Sequence, residues 1–215
     1  MKNVLLIYGH PLSHRALKAL LDAEHALHLG DETGCACEAI LKIRQQPFDA
    51  VILDVSSAQS NGLETFCDLR QACPDAPILI INGSTQADRM HHFMQLGCAG
   101  YLAYTAGRDH VLPAIQAIAR GQRYVIPSLQ TQATSKPMLH ERLSLRELQV
   151  FFKLIKGQAV NAVATELNIA PGSVSVFRAK ILKKMNAPNN AALIHYAMTH
   201  ALMTHALIPV TGRPQ

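Results

Sequence analysis

The chain has 215 residues, of which 49% are hydrophobic and 16% charged, with a formal net charge of +5. That length allows two modest domains, and that apolar content excludes global disorder. No apolar run approaches the roughly 20 residues a membrane-spanning helix needs. No membrane role is therefore expected, and the cytoplasm is the expected location.

The N-terminus sets Lys2 ahead of an apolar run, as a signal peptide would. The run is short and stops at Gly9-His10-Pro11 without a small-residue cleavage site, so a buried strand is the expectation. From there, short β-rich runs at 4–7, 26–29, 50–53, 77–81 and 100–103 alternate with helical patterns near 11–23, 35–46, 61–73, 86–96 and 108–120. Runs that are apolar throughout suit strands covered on both faces, as in a parallel sheet. Five such βα units predict a doubly wound α/β domain, a five-stranded parallel sheet in flavodoxin-like order, over residues 1–125. Functional groups in that architecture gather at the carboxyl ends of the strands.

Five cysteines (Cys35, Cys37, Cys67, Cys73, Cys98) all fall in this first half. The count is odd and Cys35-Ala36-Cys37 lacks zinc-knuckle spacing, so small reduced side chains are expected. The eleven histidines are scattered without ligand spacing. No metal and no cofactor is expected. A Gly-rich phosphate loop, a nucleophile elbow and paired strand-end carboxylates are all missing from the sequence, which argues against an enzyme.

Residues 126–140 are polar and include Pro127 and Pro137, which reads as a linker. Beyond it, residues 141–207 are helical in pattern, with helices near 144–156, 160–167, 171–185 and 189–204, and 208–215 form a tail. Charge shifts at the same boundary. Residues 1–140 hold 11 Lys+Arg and 12 Asp+Glu, a net of −1, whereas 141–215 hold 9 and 3, a net of +6. A basic excess confined to the C-terminal third is the footprint expected of a nucleic-acid-binding unit.

Within that unit, Ser144 and Glu147 have the spacing of a capping box. Leu148, Phe151, Phe152 and Ile155 recur at helical spacing and predict core, while Arg146 is expected as an ion-pair partner. Pro171 suits the first position of a helix. On the helix it opens, Val174, Ile181, Leu182 and Met185 should point inward, leaving Ser175, Val176, Ala179 and Lys183 on the opposite face. Ser173 adds a hydroxyl in the first turn. Val176 and Ala179 suit contact with thymine methyl groups, and Ser175 can bond several base edges. Arg178, Lys180, Lys183 and Lys184 are candidate phosphate contacts.

Ser144-x-Arg146-Glu147, Gly157, Ala164-x-x-Leu167, Pro171-Gly-Ser-Val174, Val176, Arg178, Ile181-Leu182 and Lys184 together resemble the LuxR-type helix-turn-helix. The α/β half resembles a response-regulator receiver, and the pairing resembles the NarL/FixJ class of two-component transcription factors. The resemblance implies a phosphoacceptor aspartate at Asp54, a loop glycine at Gly62 and a switch aromatic at Tyr101. It also implies two magnesium-holding acids after the first strand, where this chain has Tyr8 and Gly9. The family's strand-end Thr or Ser is Asn82 here, its strand-end lysine is Tyr104, and a loop proline is Ala58. At two positions where the family often has lysine and histidine, the recognition helix has Ser175 and Phe177. That difference shifts the expected specificity toward DNA shape.

Phosphoryl transfer to a carboxylate relies on cations that offset charge on the transferring oxygens. A receiver altered at 8, 9, 82 and 104 is therefore expected not to switch by ordinary phosphorylation. The reading is a transcription regulator that binds double-stranded DNA as a homodimer on paired half-sites, with Leu193, Tyr196 and Ala197 of the last helix as implied dimer contacts. Two alternatives stay open. One is an adaptor whose receiver-like domain takes a protein or small molecule; the other is a regulator still phosphorylated on Asp54.

Overall fold

A computed structural model describes residues 1–55, 61–83, 87–126 and 138–203. Ala58, most of the predicted linker and the predicted tail lie outside the described residues.

The N-terminal half is a parallel sheet in the order β2-β1-β3-β4-β5-β6. Its strands are β1 (Lys2–Ile7), β2 (Leu27–Thr33), β3 (Ala50–Asp54), β4 (Ile78–Asn82), β5 (Gly100–Ala103) and β6 (Tyr124–Val125). The sequence predicts five strands, and the described residues form six. The addition is a two-residue edge strand, too short to show periodicity, anchored by the Tyr124 N–H on the Ala99 carbonyl at 3.0 Å. Helices α1 (Pro11–Asp22), α2 (Ala36–Gln45), α3 (Gly62–Ala72), α4 (Ala87–Gln95) and α5 (Arg108–Ala119) cover the sheet.

Alternation along the strands divides the core. Leu5, Ile7, Val51, Leu53, Ile78, Ile80 and Tyr101 face one layer, with Phe66 and Phe93. Val4, Leu6, Ala50, Ile52, Leu79, Ile81 and Leu102 face the other, with Leu17, Leu21, Ile115 and Ile118. Side chains buried on both faces explain why the strands read as continuous apolar runs rather than as alternating ones. Gly62 opens α3 where a Cβ would lie 2.2 Å from the Val55 Cβ, so only glycine permits that approach.

The C-terminal half begins with a 3₁₀ turn, Leu139–Arg142, which replaces the end of the predicted linker with ordered backbone. Helices α6 (Leu145–Ile155), α7 (Val160–Glu166), α8 (Pro171–Lys184) and α9 (Asn190–Thr199) follow. Ser144 accepts from the Glu147 N–H while the Glu147 carboxylate accepts from the Ser144 N–H at 2.8 Å, which closes the predicted capping box. Gly157 ends this turn at φ +76°, a conformation that favours glycine. Asn168, at φ 51°, turns the chain between α7 and α8, and asparagine tolerates that left-handed backbone better than most residues. The N–H of Ile169 then bonds the Ala164 carbonyl at 2.9 Å, closing the end of α7 before Pro171 starts α8.

Leu148, Phe151 and Phe152 are fully buried, and each such side chain stabilises the fold by about 1.5–3 kcal/mol. They belong to the same continuous core as Phe66, Phe93 and Tyr101, because α3 of the first half packs on α6 of the second.

Candidate phosphoacceptor pocket and nucleic-acid interface

Asp54 ends β3 with only 3% of its surface exposed. Its carboxylate accepts from the Gly9 backbone N–H at 3.3 Å, from the Ser13 hydroxyl on α1, and from the Tyr104 phenol just beyond β5. These three donors reach Asp54 because β1, β3 and β5 end at the same edge of the sheet. Tyr8 turns elsewhere and stacks on His14, with ring centroids 4.3 Å apart. Tyr104, at the family's lysine position, therefore engages the carboxylate, and Tyr8, at a metal-holding position, packs on α1.

A magnesium ion, which receivers hold beside this aspartate, prefers carboxylate and phosphate oxygens in octahedral array. The three donors named above are two hydroxyls and a backbone N–H rather than further carboxylates, a set that does not fit the ion. Among the described residues there is no group of three or more His, Cys, Asp or Glu that would hold a metal. On the neighbouring strand, Asn82 donates to the Tyr101 hydroxyl at 3.0 Å. Tyr101 is fully buried, and burial pushes its phenol up to about 12 despite that bond. The switch aromatic thus points inward, toward Phe93 on α4, 6.0 Å away.

In the C-terminal half, α8 divides its surface as the sequence predicts. Val174, Ile181 and Met185 are buried and Leu182 half-buried, whereas Ser175, Val176, Ala179, Lys180 and Lys183 are exposed. Val176 keeps 54% of its surface open. Ser173 is half-buried in the first turn. Lys180 lies over the Phe177 ring at 5.9 Å, a cation–π contact that holds the ring against the helix.

Two of the predicted phosphate contacts are already engaged within the domain. Arg178 donates to Asn190 Oδ1 at 2.8 Å, and Lys184 bonds the buried Glu147 at 2.6 Å. Lys184 and the capping bonds hold the Glu147 carboxyl below its usual range, against the burial that would raise it. The cations left on the open face of α8 are Lys180 and Lys183. Arg146, expected as an ion-pair partner, instead bonds Gln149 Oε1 and the Leu167 carbonyl, each at 2.8 Å, and so ties α6 to the end of α7.

The implied dimer contacts need correction. Leu193 and Ala197 are fully buried in the domain's own core, and Tyr196 bonds His140 Nδ1 at 2.9 Å. Apolar residues pack inward first, and on the other side of α9 Ala191, His195 and Met198 are exposed.

Sequence reasoning missed the contact between the halves. Glu64 on α3 is bonded by Lys156 at 2.6 Å and lies 3.6 Å from Lys153, which pairs with Glu166 at 2.7 Å. Gln149 donates to the Cys67 carbonyl at 3.3 Å and to Asp68 at 3.4 Å. Asn61, the N-cap of α3, also donates to the Leu202 carbonyl. One signal was available: Gln149 and Lys153 lie one turn apart within the otherwise apolar run Leu148–Ile155 of α6, and the structure buries both.

The model of the response regulator receiver domain matches residues 4–116, and the model of bacterial regulatory proteins of the luxR family matches 141–197. This chain belongs to the NarL/FixJ class of response regulators, which are DNA-binding transcription regulators. It is 30% identical over 205 residues to the response regulator UvrY of Escherichia coli K12, covering 92% of this chain and 94% of that one. It is 26% identical over 200 residues to the response regulator GacA of Pseudomonas aeruginosa, covering 90% and 94%. Its fold resembles that of RcsB from Salmonella enterica serovar Typhimurium bound to promoter rprA, with a TM-score of 0.61 at 18% identity over 91% and 97% of the two chains.

Proposed function

We propose that this response regulator controls transcription from the cytoplasm without conventional aspartate phosphorylation, reading DNA through α8. The observation that supports this most is the Asp54 pocket. Its carboxylate already holds the Ser13 and Tyr104 hydroxyls and the Gly9 N–H, and a phenol stands where the family has an ammonium ion. An incoming phosphoryl group would have to displace those donors with no lysine at 104 to offset its charge.

In the output domain, α8 enters the major groove with Ser175, Val176 and Ala179 toward the base edges. Lys180 and Lys183 reach phosphates. Small and apolar readers give little direct readout, so DNA shape supplies much of the selectivity. Two copies, meeting through the outer side of α9, bind half-sites about one helical turn apart.

Incubating the full chain with acetyl phosphate and Mg²⁺ tests the receiver half of the proposal. No phosphate should be incorporated. Incorporation that Asp54→Asn abolishes would overturn the proposal.

A second reading draws on an open cleft of about 490 Å³ beside Asp54, lined by His10, Leu12, Ser13, Ala16 and Tyr104. In that reading a small molecule or protein at this cleft is the signal, and DNA binding is secondary. The salt dependence of DNA binding separates the two, since phosphate contacts predict a steep loss of affinity with salt. A flat slope favours the adaptor.

A further inference from the structure

Where α4 meets the output domain, two histidines face each other across the boundary. His92, from α4, is 5% exposed, and neither ring nitrogen has a hydrogen-bond partner. His140, from the 3₁₀ turn, is 6% exposed, and its ring stands edge-on to His92 with centroids 6.1 Å apart. Tyr196 of α9 holds His140 through its hydroxyl and stacks in turn on His200 at 4.2 Å. On the receiver side the line continues through Phe93, next to His92, to the inward-facing Tyr101. A buried polar group with both nitrogens unpartnered is rare and calls for a reason.

We propose that His92 and His140 form a pH-sensitive latch between the receiver and the output domain, and that protonation of either ring separates the two. Burial penalises a charge on both rings, and the neighbouring cationic groups add to that penalty at His140. Arg89 and His91 share α4 with His92, while His200 approaches His140 from α9, and Arg89 and His200 both oppose charge on His140. The carboxylate of Glu141 accepts from the Met138 N–H, and the Glu141 backbone, though it favours a charged His92, lies outside hydrogen-bonding geometry. The burial that closes this contact excludes the water a charged imidazole would need.

The pH dependence has a definite sign. Burial holds His92 down at about 4 and, with its neighbours' charges, His140 at about 3. Above about pH 7 both rings are neutral in either arrangement, and the closed form has no penalty. As pH falls through the ordinary histidine value near 6.5, the separated rings take up protons that the closed contact refuses, so the closed form loses ground. For two independent rings the closed-to-open ratio at pH 5.5 should be about a hundredfold lower than at pH 7.5.

Hydrogen exchange of the α3 and α6 amides in the full chain, between pH 7.5 and 5.5 and corrected for intrinsic exchange, reads this opening. The wild-type chain should lose protection there by about a hundredfold. His92→Phe, which keeps the ring and removes the charge, should lose about tenfold, and His92→Phe with His140→Phe should barely change. Unchanged wild-type protection, or equal losses in wild type and variants, would overturn the latch. If the variants do not fold, the ring signals of His92 and His140 in the wild-type chain decide by nuclear magnetic resonance. Rings still neutral at pH 5.5 in the closed form support the latch, and titration near the ordinary value overturns it.

Discussion

Asp54 and α8 are the two sites that a response regulator uses, and here they differ in kind. The carboxylate at the end of β3 is buried, and its bonds run to the Gly9 N–H and to the hydroxyls of Ser13 and Tyr104. The outer face of α8 presents Val176, Lys180 and Lys183 to solvent. A polar group whose hydrogen bonds are satisfied inside the protein has little left to offer a ligand, whereas exposed cations retain their reach. The output face keeps its cations open to solvent, while the Asp54 carboxylate is already hydrogen-bonded within the receiver.

The sharpest way to separate these two regions is to damage the core they share. Phe151→Ala should destabilise the protein by about 3–5 kcal/mol, read as a lowered denaturant midpoint. Because Phe151 belongs to the same core as Phe66 and Phe93, protection in α3 should fall with that in α6. Loss confined to the output domain would show that the halves fold separately. Removing Lys180 and Lys183 together should weaken binding evenly across DNA sequences and flatten the log–log salt slope by about 2, leaving the fold intact. A change that depended on the DNA sequence would instead make these lysines base readers.

Smaller effects probe the closed site and the cap. Tyr104→Phe takes one donor from Asp54, but Tyr104 is 42% exposed as a residue and water can reach the site. The expected loss is therefore about 1 kcal/mol, at the low end for an unmet hydrogen bond, with DNA affinity unchanged. Ser144→Ala should lower stability by about 0.5–1 kcal/mol, since Lys184 still holds Glu147 in place.

Most of the architecture was legible in the sequence because it rests on local pattern. Helix starts at Ser144 and Pro171, the inward set Val174, Ile181 and Met185, and the buried strand runs all follow from spacing and caps. What escaped was set by tertiary neighbours. Ser13 is an ordinary first-turn serine until β3 brings Asp54 beside it. Leu193 and Ala197 looked available to a second copy, yet the domain's own core claims them. Arg178 and Lys184 are cations in sequence, but within this fold their partners are Asn190 and Glu147. The clamp between α3 and α6 depends on residues about 80 to 90 positions apart, a distance over which no periodicity speaks.

The central claim is that α8 works without a phosphate on Asp54, and DNA affinity measures it directly. The titration uses a duplex recovered by chromatin immunoprecipitation, at fixed salt, with and without acetyl phosphate and Mg²⁺, against the wild-type chain and Asp54→Asn. The account predicts one affinity in all four conditions. A rise on adding acetyl phosphate to the wild type, absent from Asp54→Asn, would contradict it.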